Sequence, residues 1–169
     1  MKLVTSVSRE DDPRRAGREL GSDLKARCDA PGLFIVYATE ALAASDLIDG
    51  LRSLHPDVPI AGGTTCRGVL TETGVHVGPS VAAVLALEDE AGSFGAGTAT
   101  VGNDPAAAAA DALEQALDAA DRSFEVPSLI WICPPPGTEE EVLAGLASVV
   151  GPKCVNPGDK VGHGSGRML

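Results

Sequence analysis

The stretch Pro59-Ile-Ala-Gly-Gly-Thr-Thr-Cys-Arg-Gly-Val-Leu-Thr71 decides how the chain is interpreted. A short β-prone run, residues 58–61, leads into the glycine pair Gly62 and Gly63. Because glycine permits sharp turns and close backbone approach, we predict a turn here, at the end of a strand. The hydroxyls of Thr64 and Thr65 and the fixed donor fork of Arg67 would then line a polar pocket.

The residues before this stretch predict a strand–helix–strand unit. Residues 33–38 form a continuous apolar run, which is typical of a strand buried on both faces of a sheet. Residues 40–55 follow with Leu47, Leu51 and Leu54 on one helical face. Residues 58–61 would be the next strand, parallel to the first and joined to it by a right-handed crossover.

The same local motif, an aspartate followed by a proline, predicts the start of two further helices. Asp12-Pro13 opens a helix that ends near Cys28, and Asp104-Pro105 opens another. After the second of these helices, the apolar run 128–133 predicts another strand. Thr138 and Glu141 then have the spacing of a capping box at the start of a last helix.

Antiparallel strands are expected in the middle of the chain. Residues 74–78 and 80–87 have strand character and are separated by Gly78-Pro79, which predicts a hairpin between them. Residues 94–101 are rich in glycine and threonine and could form a further strand.

The two strand–helix stretches resemble each other at a spacing of 95 residues (129 − 34 = 95). The matching pairs are Phe34 with Leu129, Gly50 with Gly145, Leu51 with Leu146, and Ser53 with Ser148. We therefore predict an α/β fold, with a mixed β-sheet flanked by helices. It would be built on a duplicated helix–strand–helix–strand unit with inserted antiparallel strands.

The repeat fails at its end, because residues 153–158 lack the apolar run of residues 58–63. We expect residues 1–152 to form one incomplete domain and residues 153–169 to be a divergent, disordered tail. A truncated or frame-disturbed copy of a longer protein would explain this ending.

Composition excludes several classes of function. The 169 residues are 44% hydrophobic and 22% charged, as in ordinary globular proteins. With 13 Lys and Arg against 24 Asp and Glu, the net charge is −11, which opposes binding to nucleic acid. We expect no membrane insertion, because no apolar run is long enough to span a bilayer. We also expect a cytoplasmic location, in which the cysteines are reduced.

The succession of these motifs resembles the N-terminal part of the FIST domain (F-box and intracellular signal transduction proteins). The likeness spans roughly residues 5–150. Its most specific part is the glycine loop, which is similar to a Gly-Gly-Thr-Ser-Cys type of loop in that family. The residues that carry it are Gly62, Gly63, Thr64, Thr65, Cys66 and Gly68.

The resemblance implies an intracellular sensory domain that binds a small ligand, with amino acids among the ligands proposed for such domains, and takes part in signal transduction. The signalling partner is unknown. We predict that Gly62, Gly63, Thr64, Thr65, Cys66 and Arg67 bind the ligand at the carboxyl end of the strand, with residues 134–137 nearby. We expect no catalytic residues, cofactor or metal.

Two alternatives remain open. Cys66, next to Arg67 and among backbone amides, could be a reactive thiolate in a small enzyme, with His76 as the nearest base in sequence. An exposed sheet edge could instead recruit another protein chain.

Overall fold

The computed structural model describes residues 1–151, and the expectations for residues 153–169 lie outside this range. The helices are α1 (Pro13–Arg27), α2 (Ala44–Arg52), α3 (Pro105–Ala119) and α4 (Glu139–Val150). The strands are β1 (Lys2–Ser8), β2 (Leu33–Thr39), β3 (Ile60–Thr65), β4 (Gly68–Thr71), β5 (Gly74–Val77) and β6 (Ala82–Glu88).

Four strands form one mixed sheet in the order β1-β6-β2-β3. β6 is antiparallel to both β1 and β2, whereas β2 and β3 run parallel, with Phe34 opposite Ile60. The predicted parallel pairing of β2 with β3, which are connected through α2, and the α/β class are therefore confirmed. The predicted pairing of residues 74–78 with 80–87 is wrong, because β5 pairs with β4 and β6 lies in the centre of the main sheet.

The sheet buries its two faces against different parts of the chain. On one face, Phe34, Val36 and Val84 join Leu20 and Leu51 of helices α1 and α2 in the main core. On the other face, Val69 of the β4–β5 hairpin covers Val81 and Ala83, and Tyr37 packs beside them. The continuous apolar sequence of β2 is thus explained by burial on both sides.

Helices α3 and α4 form a second, smaller core. It contains Ala109, Leu113 and Leu117 from α3, and Val142 and Leu146 from α4. Asp104 accepts a hydrogen bond from the Ala107 amide at 2.9 Å and caps α3, just as Asp12 caps α1 by accepting from the Arg15 amide at 2.7 Å. The predicted helix starts are confirmed.

The two helix pairs make equivalent contacts, which supports an internal duplication. A Cβ atom on Gly50 would lie 2.3 Å from the Arg14 carbonyl oxygen, and one on Gly145 would lie 2.1 Å from that of Ala106. Arg14 and Ala106 each follow the proline that opens their helix. In both helix pairs, therefore, a glycine of the second helix allows its backbone to pack closely against the first turn of the other helix.

The second half departs from the predicted repeat in its strands. Residues 128–133 and 94–101 were both predicted to be strands, and neither is one. A strand needs a neighbouring backbone to complete its hydrogen bonds. No described segment lies in ladder register beside either run. Helix α2 is also shorter than the predicted 40–55, and Thr138 makes no capping bond through its side chain.

Candidate functional site: a cleft beside the edge strand β3

The predicted turn at Gly62 and Gly63 is wrong, because both glycines lie inside strand β3, opposite Val36 and Tyr37 of β2. Gly62 has φ +142°, and a Cβ atom there would lie 1.8 Å from the Val36 carbonyl oxygen. The glycine is therefore required for close approach between two strands. The glycine pair in the sequence indicates close contact between two strands, and not a loop.

The backbone of β3 is only partly used by its neighbour. β3 is an edge strand, and the Phe34 amide donates to the Pro59 carbonyl at 2.9 Å, which sets the register. In a parallel ladder, alternate residues pair with the same neighbour. The peptide groups of Gly63 and Thr65 therefore face β2, and those of Gly62 and Thr64 face the open edge.

The carboxyl end of β3 closes into a short turn towards β4. The Thr65 hydroxyl donates to the Gly68 carbonyl at 2.8 Å, and the Gly78 amide donates to the Arg67 carbonyl at 3.2 Å. Cys66 and Arg67 are exposed at this turn. Within residues 1–151 the Arg67 guanidinium makes no ion pair.

Within the described residues, His76 makes no hydrogen bond to Cys66. Its Nε2 lies 2.9 Å from the Thr71 hydroxyl oxygen and 3.1 Å from that of Thr73. These contacts place His76 in the β4–β5 hairpin as a structural partner of two threonines. They do not position His76 as a base for Cys66.

A cluster of three side chains beside Gly63 was not predicted. The Tyr37 hydroxyl lies 3.3 Å from Cys133 Sγ, and the Trp131 indole Nε1 donates to the same hydroxyl at 3.3 Å. The bond with Cys133, together with burial, raises the pKa of Tyr37. Gly63 lies beside this cluster; a Cβ atom on it would be 3.9 Å from Cys133 Cβ, which is an ordinary contact distance.

This cluster borders a cavity of about 210 Å³. One wall is the small-residue face of α3, another is the extended segment 95–99, and the third is the extended segment 130–135. Ala61 of β3 contributes where the main sheet meets the cavity. All its other lining residues lie between positions 95 and 146, so the cavity lies on the second core and meets the main sheet at Ala61.

The chemistry of the cavity is mostly that of small apolar groups and peptide backbone. Its described lining is glycine, alanine, proline, branched aliphatic residues, Thr98, Trp131 and Cys133, and it includes no charged side chain. Such a lining excludes water from apolar groups and offers polar contacts mainly through main-chain N–H and C=O groups.

Comparison with known families settles which family this architecture represents. The FIST N domain model matches residues 32–159. The chain belongs to the FIST N domain family. This confirms the resemblance, although the match begins at β2, so β1 and α1 lie outside it. No curated protein matches the chain.

FIST domains are sensory domains of signal transduction and are not a known enzyme family. In residues 1–151 no three His, Cys, Asp or Glu side chains come together as a potential metal site. None of the helices in the described range combines the length and the hydrophobicity that a bilayer span requires.

None of the six predicted site residues of this FIST N domain lines the cavity. Ala61, which precedes them, lines the cavity, and so do Pro134 and Pro135 from the predicted neighbouring segment. Gly63 touches the cluster of Tyr37 and Cys133, while the turn at Cys66 and Arg67 lies farther along the chain. Tyr37, Trp131 and Cys133 could have been found only if the apolar runs 33–38 and 128–133 had been placed side by side.

Proposed function

We propose that this FIST N domain is a sensory module that binds a small ligand, an amino acid or a derivative of one, and takes part in signal transduction. The observation that carries the proposal is the cavity of about 210 Å³ on the second core, which meets the edge strand β3 at Ala61. A ligand in this cavity would touch both halves and would bias how they are arranged. That is the physical requirement for converting binding into a signal.

The predicted residues form the outer part of the proposed site. Gly62 and Thr64 present backbone groups on the open edge of β3, and Gly63 lies beside Cys133. Arg67 is exposed at the end of the same strand and could form a bidentate pair with a ligand carboxylate. We propose that the cavity takes the apolar body of the ligand and that this edge recognises its polar end.

A thermal-shift panel of amino acids and their N-acetyl and amide derivatives tests the proposal. A ligand at about 100 times its Kd adds roughly 2.7 kcal/mol of stability, which corresponds to a rise of roughly 5–10 °C for a domain of this size. Absence of a shift with every compound would refute ligand binding.

Two alanine variants locate the site of any ligand that binds. Ala96 lines the cavity, so Ala96→Leu should fill it and abolish the shift. Ala91, which is exposed and outside the lining, provides the control Ala91→Leu. Equal shifts in the two variants would show that the ligand binds elsewhere.

Arg67→Gln tests the outer part of the site separately. It should weaken binding of ligands with a free carboxylate by about 10-fold or more, because hydrogen bonds to charged groups contribute about 1.5–3 kcal/mol. Ligands with a carboxamide should bind equally to both proteins. If carboxylate ligands are unaffected, Arg67 is not part of the site.

The open edge of β3 also favours a second candidate function, recruitment of another chain by strand addition. β3 is the last strand of its sheet, and Gly63 and Thr64 are exposed on it. Thr64→Pro removes an outward-facing N–H without removing one from the ladder with β2. Loss of partner binding in this variant, with stability nearly retained, would support recruitment; unchanged binding would contradict it.

A further inference from the structure

Two extended segments that face the cavity have almost no hydrogen bonds for their backbones. Between residues 94 and 101 the described chain provides one bond, from the Thr98 amide to Gln115 Oε1 at 3.5 Å. Residues 126–133 have none with any residue in the range 1–151. Extended backbone with unused N–H and C=O groups is a template for pairing with another extended backbone.

The same cavity offers nothing to balance a charge. A free amino acid would bring an ammonium and a carboxylate to a lining that includes no charged side chain among the described residues. Placing an unpaired charge among alanine, proline and isoleucine side chains is costly. A ligand whose polar groups are neutral amides avoids this cost and matches the main-chain donors and acceptors of both segments.

We propose that the ligand of this cavity is a short, uncharged, extended peptide with small side chains, which pairs with the backbones of residues 95–99 and 130–133. This inference rests on the proposed function; it narrows the ligand class to uncharged peptides and replaces the pairing of Arg67 with a ligand carboxylate. The volume of about 210 Å³ limits the part of the peptide inside the cavity to a few small residues. Main-chain pairing supplies the affinity, and the alanine-rich wall of α3 selects against bulky side chains.

Trp131 gives a direct readout, because it is the single tryptophan of the chain and lines the cavity. The probes are N-acetyl-alanyl-alanine amide, its analogue with methylated peptide nitrogens, and free alanine, each titrated while indole fluorescence is recorded. The expected result is saturable binding of the capped dipeptide, at least about 10-fold tighter than either of the other two. The methylated analogue retains the apolar groups and loses the N–H donors, so it isolates backbone pairing.

Each outcome separates this inference from the proposed function. If free alanine or another free amino acid binds and the capped dipeptide does not, the peptide inference is overturned and ligand sensing stands. If the methylated analogue binds as well as the parent, backbone pairing is overturned. If neither the capped peptides nor the amino-acid panel binds, both proposals are overturned.

Variants on the cavity wall show whether the fluorescence change comes from this site. Ala96→Leu should abolish binding of the capped dipeptide, and Ala91→Leu should preserve it. If Ala96→Leu fails to fold by circular dichroism, Ala99→Leu, which blocks the same extended segment, takes its place. Binding that survives a folded variant of this kind contradicts the proposal.

Discussion

At the residue scale, the two adjacent glycines of β3 have different physical roles. Gly62 has a positive φ, and a Cβ atom on it would clash with the Val36 carbonyl oxygen, whereas the nearest atoms to a Cβ on Gly63 are 3.8 and 3.9 Å away. The absence of a side chain on Gly62 therefore permits the close approach of the two parallel strands. The second glycine leaves ordinary contact distance to Tyr37 and Cys133 and is not required by the backbone.

We expect Gly62→Ala to lower the free energy of unfolding by about 2–5 kcal/mol, because backbone strain and a steric clash add. Gly63→Ala should change it by less than about 1 kcal/mol. Urea unfolding of the two variants makes the comparison within one strand. Equal losses would mean that the strained conformation of Gly62 is not present.

Cys28 is a buried thiol whose environment disfavours ionisation. It is 3% exposed, and its Sγ donates to Glu88 Oε2 at 3.1 Å. Burial, followed by the hydrogen bond to Glu88, raises the pKa of Cys28 from 9.0 to about 11. The unfolded chain therefore loses this proton at a lower pH than the folded chain does.

Stability contributed by Cys28 should be complete below about pH 9 and should be lost as pH rises towards about 11. Between about pH 9 and about pH 11, we expect the free energy of unfolding of Cys28→Ala to fall by about 1–2 kcal/mol less than that of the wild type. Urea midpoints at several pH values measure the difference. Cys66→Ala, at an exposed position, is the control and should follow the wild type; a Cys28→Ala curve parallel to the wild type would contradict the assignment.

At the scale of elements, helix starts are the feature that local sequence determines best. Asp12 and Asp104 both cap their helices with side-chain oxygens, as the Asp-Pro signal predicts. Thr138 has the matching position in α4, but its hydroxyl donates to the Pro135 carbonyl at 2.8 Å. The same type of position thus has a different bond when a proline-rich turn precedes it.

Asp104→Ala should therefore cost about 1 kcal/mol of stability, the usual value of an N-cap. Thr138→Ala should cost less than about 0.5 kcal/mol, because it removes no capping bond. Thermal unfolding followed by circular dichroism compares the two. A larger loss for Thr138→Ala would show that the threonine does cap α4 in solution.

Strands are harder to predict than helices in this chain because pairing is non-local. Residues 33–38 and 128–133 are equally apolar, and only the first has strand neighbours in the described chain, β3 and β6. As a result, Leu129 is 75% exposed and Trp131 is 51% exposed. The sequence of residues 128–133 favours a strand, but a strand forms only when a second backbone lies beside it.

At the scale of the whole molecule, the two cores are unequal. The first combines a four-stranded sheet with α1 and α2, while the second has five buried residues between α3 and α4. A small core gives a region low stability against local opening. The cavity lies on the second region and meets the first at Ala61, where a ligand could couple them.

We expect Leu113→Ala, in the second core, to shift the Trp131 fluorescence transition to lower urea more than the circular dichroism transition, with a local loss of about 2–4 kcal/mol. Leu20→Ala, in the first core, is the matched control and should shift both transitions. Coincident shifts for Leu113→Ala would indicate that the molecule unfolds as one unit.

The sequence by itself determined the α/β class, the helix starts, the crossover β2–α2–β3 and the duplicated helix pair. These depend on periodicity, capping residues and small residues at fixed spacing, all of which act within a few turns of chain. Only the tertiary structure decided that Gly62 is a strand residue, that β6 lies at the centre of the sheet, and that Tyr37, Trp131 and Cys133 meet beside Gly63. Those features depend on which backbones lie side by side, and contacts between residues about a hundred positions apart leave no local pattern in the sequence.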